Sequence, residues 1–338
     1  MLSIQENISL VNSNTLALNV RARYYIEITD TLQIPAALAF AQDKQLNVLV
    51  LGGGSNVVLT KHFPGVVIKI LLRGIAALEA DETVTVTAAA GENWHHLVQY
   101  CLERGYNGLE NLALIPGSVG AAPIQNIGAY GVELTQYFES LTGWDTEQQC
   151  WRTLNKKECD FGYRDSVFKR SLKERFVIVE VSLRLHLTTQ VVNNYSALSH
   201  QLAQQNIKNP SPQQIAEAVI AVRQRKLPDP EQVANVGSFF KNPLVSKGCA
   251  EKLQQQYPQL VMYPQLNGMV KLAAGWLLEK AGWKGRRTGN VGIHGEQSLV
   301  LINYADASGA EVLGFAQQIQ QDILQQFDIS LDIEPSIY

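Results

Sequence analysis

The sequence predicts a folded protein of two or three domains to which β-strands and α-helices both contribute, and three observations carry that expectation. At 338 residues the chain outgrows a single typical hydrophobic core. Its 46% hydrophobic and 17% charged content is that of an ordinary globular protein, not a disordered one. Runs with strand alternation and runs with helical spacing both recur along it. The net charge of −3 gives no general pull toward nucleic acid or acidic membranes. The short basic cluster of Lys284, Arg286 and Arg287 reads as a solvated face. Cys101, Cys150, Cys159 and Cys249 form no CxxC pair, which argues against a zinc site and a disulfide framework and suits a reducing compartment. The start, "MLSIQENISLVNSNTLAL", lacks the flank and core of a signal peptide, and no stretch approaches the ~20 apolar residues that cross a bilayer. A soluble, cytoplasmic protein with no metal site is expected.

Taken in order, "LNVLVLGGGSNVVL" reads as a buried strand ending at Gly52, Gly53 and Gly54. A dinucleotide-binding reading would need GxGxxG opening into a helix. Here two β-branched runs follow, divided by Pro64 and Gly65, so strand, turn and strand are expected and no helix dipole is on offer. No GK[ST] follows the glycines either. "ETVTVTAAAGENW" alternates as a strand, and "NWHHLVQYCLERG" has helical spacing through Trp94, Leu97, Val98, Cys101 and Leu102. His95 and His96 are neighbours on a helix and face different directions, so a polar helix face is the reading there, not a metal.

The segment Leu114–Leu134, "LIPGSVGAAPIQNIGAYGVEL", is rich in small residues and punctuated by Pro116 and Pro123. It is too rich in glycine for a good helix and too long for one turn. Small side chains are needed where backbone must come close to something, such as a diphosphate held by successive amides, or to another part of the chain in a tight connection. By composition the two readings stand level. Strands follow at "ESLTGWDT", "CWRTLN" and "RFVIVEVSLRLHL". "SPQQIAEAVIAVRQRKLPDP" is a signed helix, with Ser211 as cap, Pro212 first in the helix and Gln214 closing a capping box. Beyond Pro228 and Pro230 a new unit opens at "GSFFKNP". In it the helices "KLAAGWLLEKAGWKG" and "AEVLGFAQQIQQDILQQF" flank the strand "SLVLIN", and "ISLDIEPSIY" closes the chain as another strand.

Five segments of the chain, in order, resemble one family, the UDP-N-acetylenolpyruvoylglucosamine reductases. They are "GGGSN" at Gly52–Asn56, "IPGSVGAAPIQNIGAYG" at Ile115–Gly131, "YRDSVFK" at Tyr163–Lys169, "GSFFKNP" at Gly237–Pro243 and the terminal "IEPSIY". GGGSN by itself is common to many flavoproteins; the combination is specific, and the resemblance spans essentially the whole chain. It implies an α+β fold: a two-part FAD-binding module of the vanillyl-alcohol-oxidase type and a C-terminal α+β substrate-binding domain. The implied boundaries are 1–72 and 73–222 for the two FAD-binding subdomains, 223–326 for the substrate domain and 327–338 for a strand returning to the active site. It also implies that Gly52, Gly53, Gly54, Ser55, Asn56, Ile115, Pro116, Gly117, Ser118, Gly120, Ala121, Ile124 and Gly128 hold FAD. His62 sits at no recognisable attachment position, so the FAD is expected to be non-covalent.

The implied reaction reduces the enolpyruvyl ether of UDP-N-acetylglucosamine enolpyruvate to UDP-N-acetylmuramate, a step in peptidoglycan precursor synthesis, with NADPH as co-substrate. Hydride reaches the methylene carbon through the flavin, and a proton must reach the carbon beside the carboxylate. Such chemistry needs a cation at the developing enolate and an acid at the carbon. The resemblance gives the first task to Arg164 with Glu334, and the second to Ser238. A serine nucleophile would want a histidine base, and none of the six histidines stands in a recognisable triad motif. A donating hydroxyl instead wants a dry, fixed site, which Phe239 and Phe240 can supply. Lys226, Asn242 and Gln297 match substrate-contacting positions, and Tyr195 in "VVNNYSALS" matches a loop tyrosine that closes over substrate in one subgroup. Nothing in the sequence requires more than a monomer. The competing readings are an FAD oxidoreductase of the same fold with another substrate, against which GSFFKNP argues, and a nucleotide-sugar-binding regulator without catalysis. The presence of Ser238, Arg164 and Glu334 argues against the regulator.

Overall fold

The structure is a computed structural model, and it describes residues 2–189, 191–193, 195–265 and 268–338. It divides into two compact units, each assembled from separate stretches of chain. The first takes Met1–Ile8, Ala22–Gly54 and Phe63–Arg225; the second takes Ser9–Arg21, Ser55–His62 and Lys226–Tyr338.

The first unit holds two sheets. One is formed by β1 (Ile4–Ser9), β2 (Arg21–Ile28), β3 (Val48–Leu51) and β5 (Phe63–Ile70), in the order β1-β2-β5-β3, with helix α1 (Gln33–Asp43) between β2 and β3. The intervening strand β4 (Val57–Val58) belongs to the second unit. Strands β2 and β3 both run parallel to β5. Burial on both faces makes β5 a nearly continuous apolar run, as parallel strands generally are. Pro64 and Gly65 do not divide two strands, as the sequence suggested, but lie inside β5 near its start. Proline is tolerated there because an early strand position need not donate to the ladder. Gly65 is required because a Cβ would sit 2.1 Å from the Asn47 carbonyl.

The other sheet is antiparallel, in the order β11-β10-β12-β7-β6, from β6 (Ile75–Ala80), β7 (Thr83–Ala89), β10 (Phe138–Asp145), β11 (Cys150–Asn155) and β12 (Phe176–His186). The alternation expected of β7 is observed, with Val84, Val86 and Ala88 buried and their neighbours half-exposed. Helix α2 (Trp94–Glu103) buries Trp94, Leu97, Val98 and Cys101, and the Asn93 side chain caps it by accepting from the His96 amide. The small-residue segment contains a 3-10 helix over Val119–Gln125 and the hairpin β8 (Gly128–Ala129) with β9 (Val132–Glu133). A short helix, α3 (Lys156–Cys159), follows β11. Helices α4 (Ser196–Gln204) and α5 (Pro212–Lys226) complete the unit. The Ser211 capping box is present: the Gln214 amide donates to Ser211 Oγ (3.2 Å), and the Ser211 amide donates to Gln214 Oε1 (2.9 Å).

The second unit carries an antiparallel sheet in the order β13-β19-β18-β17, from β13 (Asn235–Ser238), β17 (Arg287–Thr288), β18 (Val291–Ile293) and β19 (Val300–Asn303). A three-stranded sheet is made by β14 (Leu244–Ser246), β15 (Met262–Pro264) and β16 (Met269–Leu272). Helix α6 (Lys247–Gln256) follows β14. Helix α7 is shorter than expected at Ala274–Lys280, because Lys271 and Leu272 are taken by β16. Helix α8 (Gly309–Phe327) buries Val312, Phe315, Ala316, Ile319, Ile323 and Phe327, the three-and-four spacing of an amphipathic helix, behind a Ser308–Glu311 capping box. The closing strand β20 is only Ser336–Ile337, not the whole of "ISLDIEPSIY"; it pairs in parallel with β4. Among the described residues no helix is long and apolar enough to cross a membrane, and no group of three or more His, Cys, Asp or Glu could hold a metal.

Candidate active site

In the first unit, β3 delivers Gly52–Gly54 against the small-residue segment. A Cβ on Gly52 would lie 2.2 Å from Ser118 Oγ, and one on Gly53 would lie 2.8 Å from the Gly117 Cα. A larger residue at Gly53 must therefore part the two loops, and one at Gly52 must displace the Ser118 hydroxyl or the loop that carries it. Gly54 and Gly117 also have left-handed backbones, at φ +67 and +118. Lys69, on β5 beside Leu51, donates from Nζ to the Gly52 carbonyl at 2.5 Å. Burial lowers the Lys69 ammonium from its ordinary pKa, with Glu27 opposing that shift.

The second loop is fastened to the start of α2. The Trp94 amide donates to the Gly117 carbonyl (3.1 Å), the Val119 amide to Glu92 O (2.9 Å) and the Gly120 amide to Ala90 O (2.9 Å). Gly120 is packed so closely that a Cβ would stand 2.5 Å from that of Ala90. His95 is not merely part of a polar helix face, because its Nδ1 accepts from the Leu114 amide (3.1 Å). The N–H groups of Gly53, Gly54, Gly117 and Ser118 find no acceptor among the described residues. Amides left over on closely packed, glycine-rich loops suit the diphosphate of a dinucleotide, without a helix terminus. The close-packing reading of this segment is thus observed: the two loops touch each other, and amides are left over.

Beyond Gly120 the segment reaches Ile124, whose carbonyl accepts from the buried Ser166 hydroxyl (2.6 Å). Asn126, in the left-handed region at φ 45, donates to Glu133 Oε2 and to the Gly162 carbonyl, each at 3.0 Å. These bonds carry the YRDS turn to the hairpin. Arg164, itself at φ 52, donates from Nη2 to the Gly128 carbonyl at 2.5 Å. Tyr195 caps the start of α4 with its ring edge-on to Tyr130 (centroids 5.4 Å apart) and 40% exposed. Within this unit, then, Arg164, Tyr195, Gly128 and the glycine loops belong to one connected region.

The second unit assembles the rest. Gly237, at φ +71, lies in the irregularity between the Asn235↔Ile302 and Ser238↔Val300 pairs of β13 with β19. The Asn235 side chain accepts from the Gly237 amide (2.8 Å) and donates to Pro228 O (3.1 Å) and Val233 O (2.7 Å). Ser238 emerges exposed, while Phe239 and Phe240 are 0% and 1% exposed, with ring centroids 5.4 Å apart. The phenylalanines therefore anchor the strand, and the serine is what that strand presents. The Glu334 amide donates to the Phe239 carbonyl (2.9 Å), and Lys241 N–H to Asp332 O (2.9 Å), which brings Glu334 alongside Ser238. The same terminal stretch continues to Ser336, whose amide donates to Asn56 O (3.0 Å), so Asn56 is tied to it as well.

Asn242 accepts from the Ala274 amide at Oδ1 (2.9 Å), which gives it a structural task at the start of α7. Gln297 lies nearby, with Oε1 at 3.9 Å from where a Gly275 Cβ would be. Lys226 is the exposed last residue of α5.

The reasoning from sequence passed over Lys69 and Tyr130 as site residues; Tyr130 had a signal, because it lies within the Ile115–Gly131 motif.

Compared with known proteins, the chain is 47% identical to the UDP-N-acetylenolpyruvoylglucosamine reductase of Pseudomonas putida, over 99% of this chain and 98% of that one. It belongs to the UDP-N-acetylenolpyruvoylglucosamine reductase family. The enzyme of the same name from Paraburkholderia phymatum is 50% identical over 95% of this chain and 94% of its own. Residues 229–338 match the C-terminal domain of that reductase and include Ser238, Asn242, Gln297 and Glu334. Residues 22–146 match an FAD binding domain and include the glycine loops, so the chain carries an FAD-binding domain followed by this reductase domain. Arg164, Tyr195 and Lys226 fall between the two. The crystal structure of UDP-N-acetylenolpyruvylglucosamine reductase from Thermus caldophilus superposes over 100% of both chains with a TM-score of 0.68 at 20% identity, which speaks to the fold.

Proposed function

We propose that the protein is a cytoplasmic, monomeric enzyme that reduces the enolpyruvyl ether of UDP-N-acetylglucosamine enolpyruvate to UDP-N-acetylmuramate, with NADPH as electron source and non-covalent FAD as relay. When bound, FAD would accept hydride from NADPH and return it to the methylene carbon of the substrate. Gly52–Asn56, Ile115–Ser118, Gly120, Ala121, Ile124 and Gly128 would hold it; the unclaimed amides of Gly53, Gly54, Gly117 and Ser118 support this assignment. Arg164, steadied by its bond to Gly128 O, offers a fork of N–H donors to the substrate carboxylate as charge develops there. Glu334 orients that carboxylate, and Ser238 Oγ delivers the proton to the adjacent carbon. Lys226, Asn242 and Gln297 bind the nucleotide and sugar, and Tyr195 closes over them.

The observation that carries this reading is the setting of Ser238. Two buried phenylalanines hold an exposed serine on β13, and Glu334 is hydrogen-bonded through its backbone one residue away. A hydroxyl donor needs that fixity, since removing a positioned general acid typically slows its step about 10²–10⁴-fold. In anaerobic stopped flow, Ser238→Ala should reduce its flavin with NADPH at the wild-type rate. Recovery of the yellow colour on adding the enolpyruvyl substrate should slow by that factor. Equal slowing of both half-reactions would remove Ser238 from the acid role.

A further inference from the structure

Ser238 is exposed on β13, yet Asn235 at the start of the same strand is buried, with every polar atom of its side chain in use. Oδ1 accepts from the Gly237 amide (2.8 Å), and Nδ2 donates to Pro228 O (3.1 Å) and Val233 O (2.7 Å). The Asn235 backbone amide donates to Thr15 O (2.9 Å). Beside it, Ala234 O accepts from the Asn303 amide (3.0 Å), and Asn303 Nδ2 donates to Leu16 O (2.8 Å). Asn235 is thus fixed from three sides, by the Thr15–Leu16 loop, by β19 and by the turn that follows α5. What it holds in return is the Gly237 amide.

That amide lies in a bulge. Asn235 pairs with Ile302 and Ser238 with Val300, so β13 has one residue more than β19 over this interval. Gly237 absorbs the extra residue at φ +71. A Cβ on Gly237 would meet nothing within 4 Å, so glycine stands there for its backbone and not for want of room. Glycine is also the residue whose backbone turns over most easily, and the bond to Asn235 Oδ1 removes that freedom. On the other side of Ser238, the Phe239 amide donates to Leu299 O (2.8 Å). The serine is therefore held between two fixed amides, one of them held by a side chain. Proton delivery to a carbon depends on such fixity, since a misplacement of about 1 Å costs about 10²-fold in rate.

We infer that Asn235 is a positioning residue for the proton-delivering step, acting through Gly237 to aim the Ser238 hydroxyl. The inference rests on Ser238 being the acid of the proposed function. The other three residues of the strand divide the work: Val236 is buried, Gly237 makes the turn and Ser238 faces out.

The test uses FAD-loaded, full-length Asn235→Ala, Ser238→Ala and the double variant in anaerobic stopped flow. Asn235→Ala should reduce its flavin with NADPH at the wild-type rate. Return of the yellow colour on adding the enolpyruvyl substrate should slow about 10–100-fold, at unchanged substrate Kd on the oxidised enzyme. The double variant separates aiming from general support. Without the hydroxyl nothing is left to aim, so Asn235→Ala should cost no further rate in the Ser238→Ala background. Losses that multiply would overturn the inference, as would equal slowing of both half-reactions or a wild-type rate in Asn235→Ala. Gly237→Ala strains the left-handed turn without a clash and should show the same split and the same dependence on Ser238. It decides the matter if Asn235→Ala does not fold. If Ser238→Ala leaves the return of colour unchanged, the acid assignment falls and the inference with it. If Ser238→Ala slows that step while Asn235→Ala and Gly237→Ala do not, only the role of Asn235 is lost.

Discussion

The closest approach between the two glycine-containing loops can be tested by itself. Gly52→Ala places a Cβ 2.2 Å from Ser118 Oγ, where ordinary contact begins near 3.4 Å, so either the hydroxyl or the loop must shift by more than 1 Å. The remaining neighbours, Ser118 Cβ at 3.4 Å and Ala121 Cβ at 3.6 Å, would tolerate the methyl. The clash is thus almost entirely with one oxygen atom. Forcing such a shift costs about 1–3 kcal/mol. If it displaces the Gly53 and Ser118 amides, it should weaken FAD binding about 5–150-fold. Adding Ser118→Ala removes the obstructing oxygen and should recover most of that loss, a coupling of about 1–2 kcal/mol in a double-mutant cycle. Gly53→Ala is the internal contrast. Its Cβ would meet the Gly117 Cα at 2.8 Å, a backbone atom no side-chain deletion can remove, so Ser118→Ala should not rescue it. The assay is titration of apo-protein with FAD, followed by quenching of flavin fluorescence, for wild type and each variant. If Ser118→Ala restores nothing in the Gly52→Ala background, loop contact is not why glycine stands there.

Two further outcomes follow from neighbouring observations. Lys69→Met removes the charged donor behind Gly52 O and should weaken FAD binding about 10–30-fold through loss of a bond to a charged group worth ~1.5–2 kcal/mol, read by the same titration, with the melting temperature of the apo-protein little changed. Asp145 is fully buried and hydrogen-bonded by Arg175 and Arg152, and Arg175 holds its carboxyl far below the usual range. Since the folded pKa is the lower one, the stabilisation is complete above the unfolded value near ~4 and is lost as pH falls through the folded pKa. Asp145→Asn should therefore lower stability by about 2–3 kcal/mol at pH 7, a figure discounted because both arginines reach solvent. Melts at descending pH should show the gap to wild type closing below about pH 4; a constant gap would mean the carboxylate charge is not what the arginines stabilise.

Local chemistry is legible in the amino-acid sequence. Ser211, Pro212 and Gln214 announce the start of α5, and Val84, Val86 and Ala88 announce the buried face of β7, because a cap or a side-chain period is complete within a few residues. The family motifs likewise mark Gly52–Gly54, Arg164, Ser238 and Glu334 as one set. What the motifs do not state is why each residue type is needed. Gly52 is glycine because of Ser118, far along the chain, and Gly65 because of the Asn47 carbonyl, which also explains how Pro64 and Gly65 come to lie within a strand.

The sequence by itself determined the elements that close on themselves: amphipathic helices, alternating strands, caps, and the motif residues that name the chemistry. Tertiary structure alone decided which distant backbones touch. It set β20 beside β4, brought Glu334 next to Phe239 and put the Lys69 ammonium on Gly52 O. The physical reason is range. Periodicity and capping act over one or two turns of chain. Close approach, desolvation and the balance of buried charge depend on strand register and loop contacts between residues far apart in the chain.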